Sequence, residues 1–130
     1  MKINPDKALE DILIVDDKPD NLRLLSNMLK KEGYKVRLAP NGKLALSGVR
    51  GILPDLILLD IRMPGMDGFT VCETLKSHER TREIPVIFLS ASDDPEDKIR
   101  AFSAGGVDYI VKPFHEAEVL ARIRTHTALR

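Results

Sequence analysis

Hydrophobic and polar positions follow two alternating patterns along the chain. Short apolar runs rich in β-branched residues predict five strands. These strands are Asp11–Val15, Lys35–Ala39, Leu56–Leu59, Pro85–Leu89 and Asp108–Val111. Between the runs, apolar residues recur at helical spacing, as Leu22, Leu25 and Leu29 do in the first intervening segment. The chain is therefore predicted to fold as five successive strand–helix units.

Proline, glycine and acidic residues indicate where the helices begin and end. Pro19 suits the first turn of the first helix, and Gly33 suits its end. Asp94 is expected to cap a fourth helix that has Pro95 in its first turn and ends at Gly105. The remaining predictions are a turn at Asn41–Gly42, helices over Lys43–Arg50 and Phe69–Ser77, and a last helix around Val119, Leu120 and Ile123.

The strands read as continuous apolar runs, which is typical of a parallel sheet covered by helices on both faces. A chain of 130 residues is long enough for one such domain with a real core. We expect the domain to occupy residues 11–130, with residues 1–10 as an N-terminal extension. Sheets of this kind bind ligands beyond the carboxyl ends of their strands.

Composition excludes several classes of function. Lys plus Arg and Asp plus Glu each total 20, so the formal net charge is zero and gives no electrostatic reason to expect nucleic acid or membrane binding. No apolar run approaches the roughly 18 residues of a membrane span, and the first residues lack the apolar core of a signal peptide. The single cysteine, Cys72, excludes an internal disulfide and suits a reducing cytoplasm.

Chemically active residues stand where four of the predicted strands end. Asp16 and Asp17 follow the first strand, Asp60 the third, Ser90 the fourth and Lys112 the fifth. Three carboxylates and one ammonium leave a charge that a divalent cation would neutralise. Mg²⁺ is held by few carboxylates and takes phosphate oxygens in its open positions, and Mn²⁺ is an alternative ion. A carboxylate in this setting can attack phosphorus and form an aspartyl phosphate.

Four segments together resemble the receiver domain of two-component response regulators. They are "ILIVDD", "PDLILLDIRMPGMDGF", "PVIFLSA" and "AGGVDYIVKPF", and the resemblance runs from about Asp11 to Leu129. It implies a flavodoxin-like, doubly wound α/β fold with five parallel strands in the order 2-1-3-4-5 and five helices. It also implies a domain that accepts a phosphoryl group from the phosphohistidine of a histidine kinase or phosphotransfer protein. The domain would then change conformation to control an output domain or a protein partner.

The resemblance assigns a role to each residue of the acidic site. Asp60 corresponds to the phosphoacceptor and is also a ligand of the metal. Asp17 corresponds to a direct Mg²⁺ ligand, and Asp16 to an acid that holds the ion through water. The backbone carbonyl of Arg62 would supply a further ligand.

The remaining assignments concern the phosphoryl group and the switch. Lys112 would pair with a phosphoryl oxygen, and Ser90 would hydrogen-bond the phosphoryl group once it is present. Tyr109 would be the aromatic switch that turns inward as Ser90 moves. Pro113 would follow a cis peptide bond that orients Lys112.

Other interpretations of the same residues stay open at this stage. Asp16 and Asp17 are also suited to the N-terminus of the first helix, Lys112 to a solvated surface and Tyr109 to simple packing. A pseudo-receiver would keep the fold as an interaction module without the chemistry. An aspartyl-phosphate phosphohydrolase would need an acid two residues after its nucleophile, and Arg62 occupies that position. We therefore expect a phosphoacceptor that catalyses only its own phosphorylation and dephosphorylation.

Two positions of the family pattern influence how long the phosphoryl group lasts, and here they are Arg62 and Ser92. Our hypothesis is that Arg62 reaches over the phosphoryl group and hinders an attacking water.

The last segment, "EVLARIRTHTALR", reads as helix to its final residue. We expect either a stand-alone receiver or, preferably, a domain whose fifth helix continues into an output domain. The same face resembles the dimerising surface of many receivers, with Asp108, Glu118 and Arg122 as candidate ion-pair partners. Homodimerisation through the last helix–strand–helix face is therefore a further expectation.

Overall fold

The computed structural model describes residues 10–128 and contains five strands that alternate with five helices. The strands are β1 (Asp11–Val15), β2 (Lys35–Ala39), β3 (Leu56–Asp60), β4 (Val86–Ser90) and β5 (Asp108–Val111). The helices are α1 (Pro19–Lys31), α2 (Gly42–Gly51), α3 (Gly68–Lys76), α4 (Pro95–Ser103) and α5 (Glu116–Ala128). The predicted N-terminal extension, except for Glu10, and the end of the last predicted helix lie outside the described residues.

The strands form one sheet in the order β2-β1-β3-β4-β5, and every neighbouring pair is parallel. This confirms the predicted doubly wound architecture. All residues of β3 and β4 are buried, because helices cover both faces of the sheet at its centre. The edge strand β2 has only one buried residue, which agrees with its more polar sequence.

Alternation along the strands divides the core into two layers. On one face, Ile12 and Ile14 pack in a cluster with Leu25 of α1 and Ile123 of α5. On the other face, Leu13 and Val15 belong to a cluster that also contains residues of α2, α3 and α4. The sheet is thus packed on both faces, and its carboxyl edge carries the polar residues.

Several boundaries differ from the sequence predictions. The third strand includes Asp60, and the fourth begins and ends one residue later than expected. Asn41 and Gly42 do not form a separate turn. Asn41 caps α2 by accepting a hydrogen bond from the backbone of Leu44 (2.8 Å), and Gly42 is the first helical residue. Helix α3 likewise starts one residue early, at Gly68, with Asp67 as its cap.

Helix α4 is the least deeply packed of the helices. Of its nine residues, all of them described, only Ala101 is buried. Ile99 and Phe102 are 66% and 50% exposed. Asp94 caps the helix through the backbone amide of Glu96, as predicted. Because α4 buries little apolar surface, its attachment depends more on side chains at its ends than that of the other helices does.

Candidate acidic phosphoacceptor site

The parallel register brings the predicted site residues to one edge of the sheet. Val15 of β1 lies opposite Leu59 of β3, so the next residues, Asp16 and Asp60, lie side by side at the carboxyl ends of these neighbouring strands. Asp60 is itself paired with Leu89, the residue before Ser90. The backbone amide of Lys112 donates to the carbonyl of Ser90 at 2.8 Å. Four strand ends therefore meet where the sequence predicted them to meet.

Three acids form a compact cluster at this edge. One carboxylate oxygen from each of Asp16, Asp17 and Asp60 lies within 4.8 Å of the others. Asp16 is fully buried, Asp60 is 3% exposed, and Asp17 is half-buried. Carboxylates so close together and so little solvated repel one another unless a cation lies between them.

Lys112 supplies part of the compensating charge. Its Nζ lies 3.2 Å from Oδ1 of Asp60 and 3.3 Å from Oδ2 of Asp16, and its side chain is only 17% exposed. The Lys112–Pro113 peptide bond is cis. Lys112 therefore belongs to the acidic cluster and is not a solvated surface lysine.

Asp16 also organises the start of α1. Its Oδ1 accepts a hydrogen bond from the backbone amide of Lys18 at 2.9 Å, and its Oδ2 accepts one from Nδ2 of Asn21 at 3.1 Å. Lys18, the N-cap residue of α1, makes no side-chain cap of its own. The same carboxylate therefore binds the N-terminal turn of α1 and lies within the acidic cluster, and its role as a metal-binding acid stays a prediction.

One carboxylate oxygen of Asp17 tests whether the three acids suit a metal ion. This atom, Oδ1, is buried and has no hydrogen-bond partner among the residues that the structure describes. Leaving a buried charged oxygen without a partner costs free energy. A hard divalent cation coordinated by carboxylate oxygens would satisfy this atom. The donor set thus fits Mg²⁺ or Mn²⁺.

The pKa of Asp60 is raised from 3.8 to about 6, mainly by burial and then by the charge of Asp16, against the opposing effect of Lys112. The direction follows from the cluster itself: removing the proton adds a third negative charge to a poorly solvated group. Neutralisation by a cation would favour the ionised form, which is the form that can act as a nucleophile.

Ser90 and Tyr109 are linked through the loop between β4 and α4. Ser90 is 1% exposed, and its Oγ accepts a hydrogen bond from the backbone amide of Ser92 at 3.0 Å. Tyr109 is 8% exposed, and its hydroxyl donates to the carbonyl of Ser92 at 2.9 Å. Tyr109 is therefore buried in this structure and is held by the same loop residue that contacts Ser90, while its role as a switch stays a prediction.

The side chain of Arg62 forms an ion pair with helix α4. This side chain is 66% exposed, and its Nη2 lies 3.0 Å from Oδ2 of Asp97. The sequence analysis did not identify Asp97, because nothing in the local pattern of α4 indicates a partner in another loop.

Gly68 is a second residue that the sequence analysis missed. A Cβ at this position would overlap the backbone carbonyl oxygen of Asp60 and would crowd Cα of Ile61. The amide of Gly68 donates to the carbonyl of Ile61 at 2.8 Å. Glycine therefore lets the start of α3 close onto the backbone of Asp60. The available signal was a glycine directly after an N-cap acid, where a helix former would otherwise be expected.

The fold and this edge together define a class of protein. A doubly wound sheet in this order, with an acidic triad, a serine and a lysine at its carboxyl edge, is the architecture of a phosphoacceptor switch domain. The family model described as "Response regulator receiver domain" matches residues 12–124. The chain belongs to this family and is a signalling domain of the phosphoacceptor type. Since the acids and the lysine are all present, the pseudo-receiver interpretation is not favoured.

Two curated relatives and one solved structure illustrate the similarity. The chain is 44% identical over 119 residues to the response regulator PleD of Caulobacter vibrioides, covering 92% of this chain and 26% of PleD. It is 45% identical over 113 residues to the DNA-binding dual master transcriptional regulator RpaA of Synechocystis, covering 87% and 47%. The receiver domain of a sensor histidine kinase from Pseudomonas aeruginosa, which has a magnesium ion in its active-site cleft, superposes with a TM-score of 0.86. That structure shares 32% identity, with 93% and 99% of the two chains covered.

The chain spans about a quarter to a half of the length of these curated relatives. The similarity therefore concerns the receiver and not the activities of whole proteins. Among residues 10–128, no helix combines the length and the apolar character needed to cross a bilayer.

Proposed function

We propose that Asp60 receives a phosphoryl group from the phosphohistidine of a histidine kinase or phosphotransfer protein. A carboxylate oxygen of Asp60 forms the new bond to phosphorus, and the P–N bond breaks with its electron pair going to the imidazole. The observation that carries the proposal is the position of Asp60: a buried acid between a lysine at 3.2 Å and two further acids. Lys112 is placed to neutralise charge on the phosphoryl oxygens as transfer proceeds.

Asp16, Asp17, Asp60 and the backbone carbonyl of Arg62 would hold Mg²⁺, with Mn²⁺ as the alternative. The ion would neutralise the acids and coordinate phosphoryl oxygens. The buried, unpartnered Oδ1 of Asp17 supports this assignment. The chain's own residues do the rest: they orient the nucleophile, exclude bulk water and hold one fixed positive charge.

Ser90 would bond the phosphoryl group once it is formed, giving up its present contact with the amide of Ser92. Because the Tyr109 hydroxyl is bonded to the carbonyl of the same Ser92, a shift of this loop would reach Tyr109 directly. The domain would thus act as a two-state element whose populations are biased by the modification. Through it the domain would control an output domain or a partner protein in the cytoplasm.

Intact-mass spectrometry after incubation with acetyl phosphate tests the acceptor. One phosphoryl adduct that requires Mg²⁺ and is absent from Asp60→Asn is the expected result. Asp20→Asn is the matched control, since the side chain of Asp20 in α1 is 92% exposed and pairs with Arg23, which is not part of the cluster. An adduct that persists in Asp60→Asn, or no adduct in a folded wild-type protein, would contradict the proposal.

We also propose that the phosphorylated form dimerises through α4, β5 and α5. Ile99, Phe102 and Val107 leave apolar surface exposed there. Arg122 pairs with Asp108 at 3.4 Å and with Glu118 at 3.9 Å inside one chain, so a dimer would need these exposed pairs to exchange partners. Sedimentation with and without acetyl phosphate tests the idea, with Phe102→Ser as the interface variant. A monomer in both states would refute it.

A further inference from the structure

One ion pair joins the two loops that flank Asp60. Arg62 lies two residues beyond Asp60, in the loop after β3, and Asp97 lies in the first turn of α4, after the loop that begins at Ser90. Their side chains meet at 3.0 Å, and the Asp97 side chain is 17% exposed. The pair therefore links the loop after Asp60 to the first turn of α4.

The pair matters for α4 because no residue in the first turn of this helix is buried. Ala101 is the one buried residue of α4, and it lies in the second half. Arg100, also in that half, stacks on the ring of Phe69 at 4.3 Å. The Arg62–Asp97 ion pair thus joins the first turn of α4 to the loop after Asp60.

A phosphoryl group on Asp60 would compete with Asp97 for Arg62. Two residues of chain span at most about 7 Å, so a long arginine side chain at position 62 can turn back to Asp60. The phosphoryl group carries about 1.5 to 2 negative charges and three acceptor oxygens, and the planar guanidinium binds phosphate through two parallel hydrogen bonds. Because the Arg62 side chain is 66% exposed, the pair is weak enough to be exchanged.

We propose that Asp97 is a positioning residue that holds Arg62 away from the phosphoryl group. Arg62 alternates between a contact with Asp97 and a contact with the phosphoryl oxygens. The strength of the Arg62–Asp97 pair sets the population of each contact. This inference rests on the proposed phosphorylation of Asp60.

The fraction of molecules in which Arg62 contacts the phosphoryl oxygens controls the lifetime of the phosphoryl group. In hydrolysis, a water oxygen bonds to phosphorus while the bond from phosphorus to Asp60 breaks. The electron pair returns to the Asp60 carboxylate, and the protons of the water pass to solvent and to the departing inorganic phosphate. A guanidinium over the phosphoryl oxygens blocks the approach of that water. Weakening the hold of Asp97 should therefore lengthen the lifetime, and removing the guanidinium should shorten it.

The test is a double-mutant cycle on the lifetime of the adduct. Wild type, Asp97→Asn, Arg62→Ala and the double variant are phosphorylated with acetyl phosphate and Mg²⁺, desalted, and followed by intact mass. Asp97→Asn should lengthen the lifetime by about two- to fivefold, the range that a pair of this exposure supports. In the Arg62→Ala background the same change should have no effect. Glu96→Gln removes the same charge from the same helical turn and should leave the lifetime unchanged, while Asp97→Glu should restore the wild-type value.

Three results would overturn the inference: an unchanged or shortened lifetime in Asp97→Asn, the same lengthening in the Arg62→Ala background, or an equal effect of Glu96→Gln. The last result would mean that general electrostatics, and not the pair, governs hydrolysis. If none of the proteins acquires the adduct, the proposed function of Asp60 itself is wrong. The two failures are therefore distinguishable in one set of samples.

Discussion

Asn in place of Asp60 should stabilise the metal-free protein at neutral pH. The pKa of Asp60 is raised from 3.8 to about 6, so between these values the folded state holds a proton that the unfolded state has lost. The free energy of unfolding therefore falls as the pH rises through this window, and the loss is complete above it. A difference of about two pKa units corresponds to about 3 kcal/mol. Asn keeps the shape of Asp without the charge.

One contact opposes this gain. Lys112 would lose Asp60 as a charged partner but would keep Asp16 at 3.3 Å. We therefore expect Asp60→Asn to raise the unfolding free energy by about 1–3 kcal/mol at pH 7.5 in a chelator. Mg²⁺ should stabilise the wild type by mass action and the variant much less, since the variant lacks one of the three acids. Saturating Mg²⁺ should thus reduce or reverse the difference.

Urea denaturation followed by circular dichroism measures the effect. The midpoints of wild type and Asp60→Asn are compared at pH 7.5 and near pH 4, with chelator and with Mg²⁺, and the m-values should agree. Asp20→Asn serves as the exposed control and should match the wild type throughout. Equal stability of wild type and Asp60→Asn at pH 7.5 in chelator would refute the reasoning. A gain that is undiminished near pH 4 would do so too, since Asp60 is then protonated in the folded state.

Three further predictions concern neighbouring residues. Asp17→Asn should abolish most of the stabilisation by Mg²⁺ while leaving the protein folded in chelator, as measured by thermal melts; a full Mg²⁺ response would contradict the ligand assignment. Gly68→Ala should cost about 1–3 kcal/mol in urea denaturation, because its Cβ would meet the backbone of Asp60. Gly48→Ala in α2 is the control that should be neutral or stabilising, since its Cβ would meet nothing within 4 Å; equal costs would refute the steric argument. Tyr109→Phe should cost about 0.5–1.5 kcal/mol through the lost bond to Ser92 and should speed amide exchange in the β4–α4 loop; unchanged exchange there would argue against the link.

The sequence alone predicted the order of the strands in the sheet and the residues that meet at its carboxyl edge. Apolar runs of strand length and the residues that follow them are local signals, and the parallel topology converts them into a common edge. This is why Asp16, Asp17, Asp60, Ser90 and Lys112 could be grouped before any coordinates were known. The boundaries moved by one residue where a polar residue ends a strand or a glycine begins a helix, as at Asp60 and at Gly42 and Gly68.

Contacts between distant loops were not accessible in the same way. Asp97 reads as one of several acids at the start of a helix, where an acid is favoured whatever else it does. Its pairing with Arg62 depends on the distance between α4 and the loop after β3. The spacing of apolar residues along the sequence does not predict this distance. Asn21 was missed for a similar reason: it reads as a helical surface residue, yet its amide bonds the buried carboxylate of Asp16.

The charge balance of the site connects these observations. Three acids and Lys112 already leave an excess of negative charge in a buried cluster. A phosphoryl group carries about 1.5 to 2 negative charges and replaces the charge of the Asp60 carboxylate, so the site gains roughly one more. A divalent cation offsets the first excess and leaves the added charge. Arg62 carries the further positive charge in the loop beside Asp60, and in the unmodified protein it is paired with Asp97. We therefore expect Arg62 to contact the phosphoryl group in the phosphorylated state. The free energy of separating Arg62 from Asp97 then becomes part of the free energy of switching.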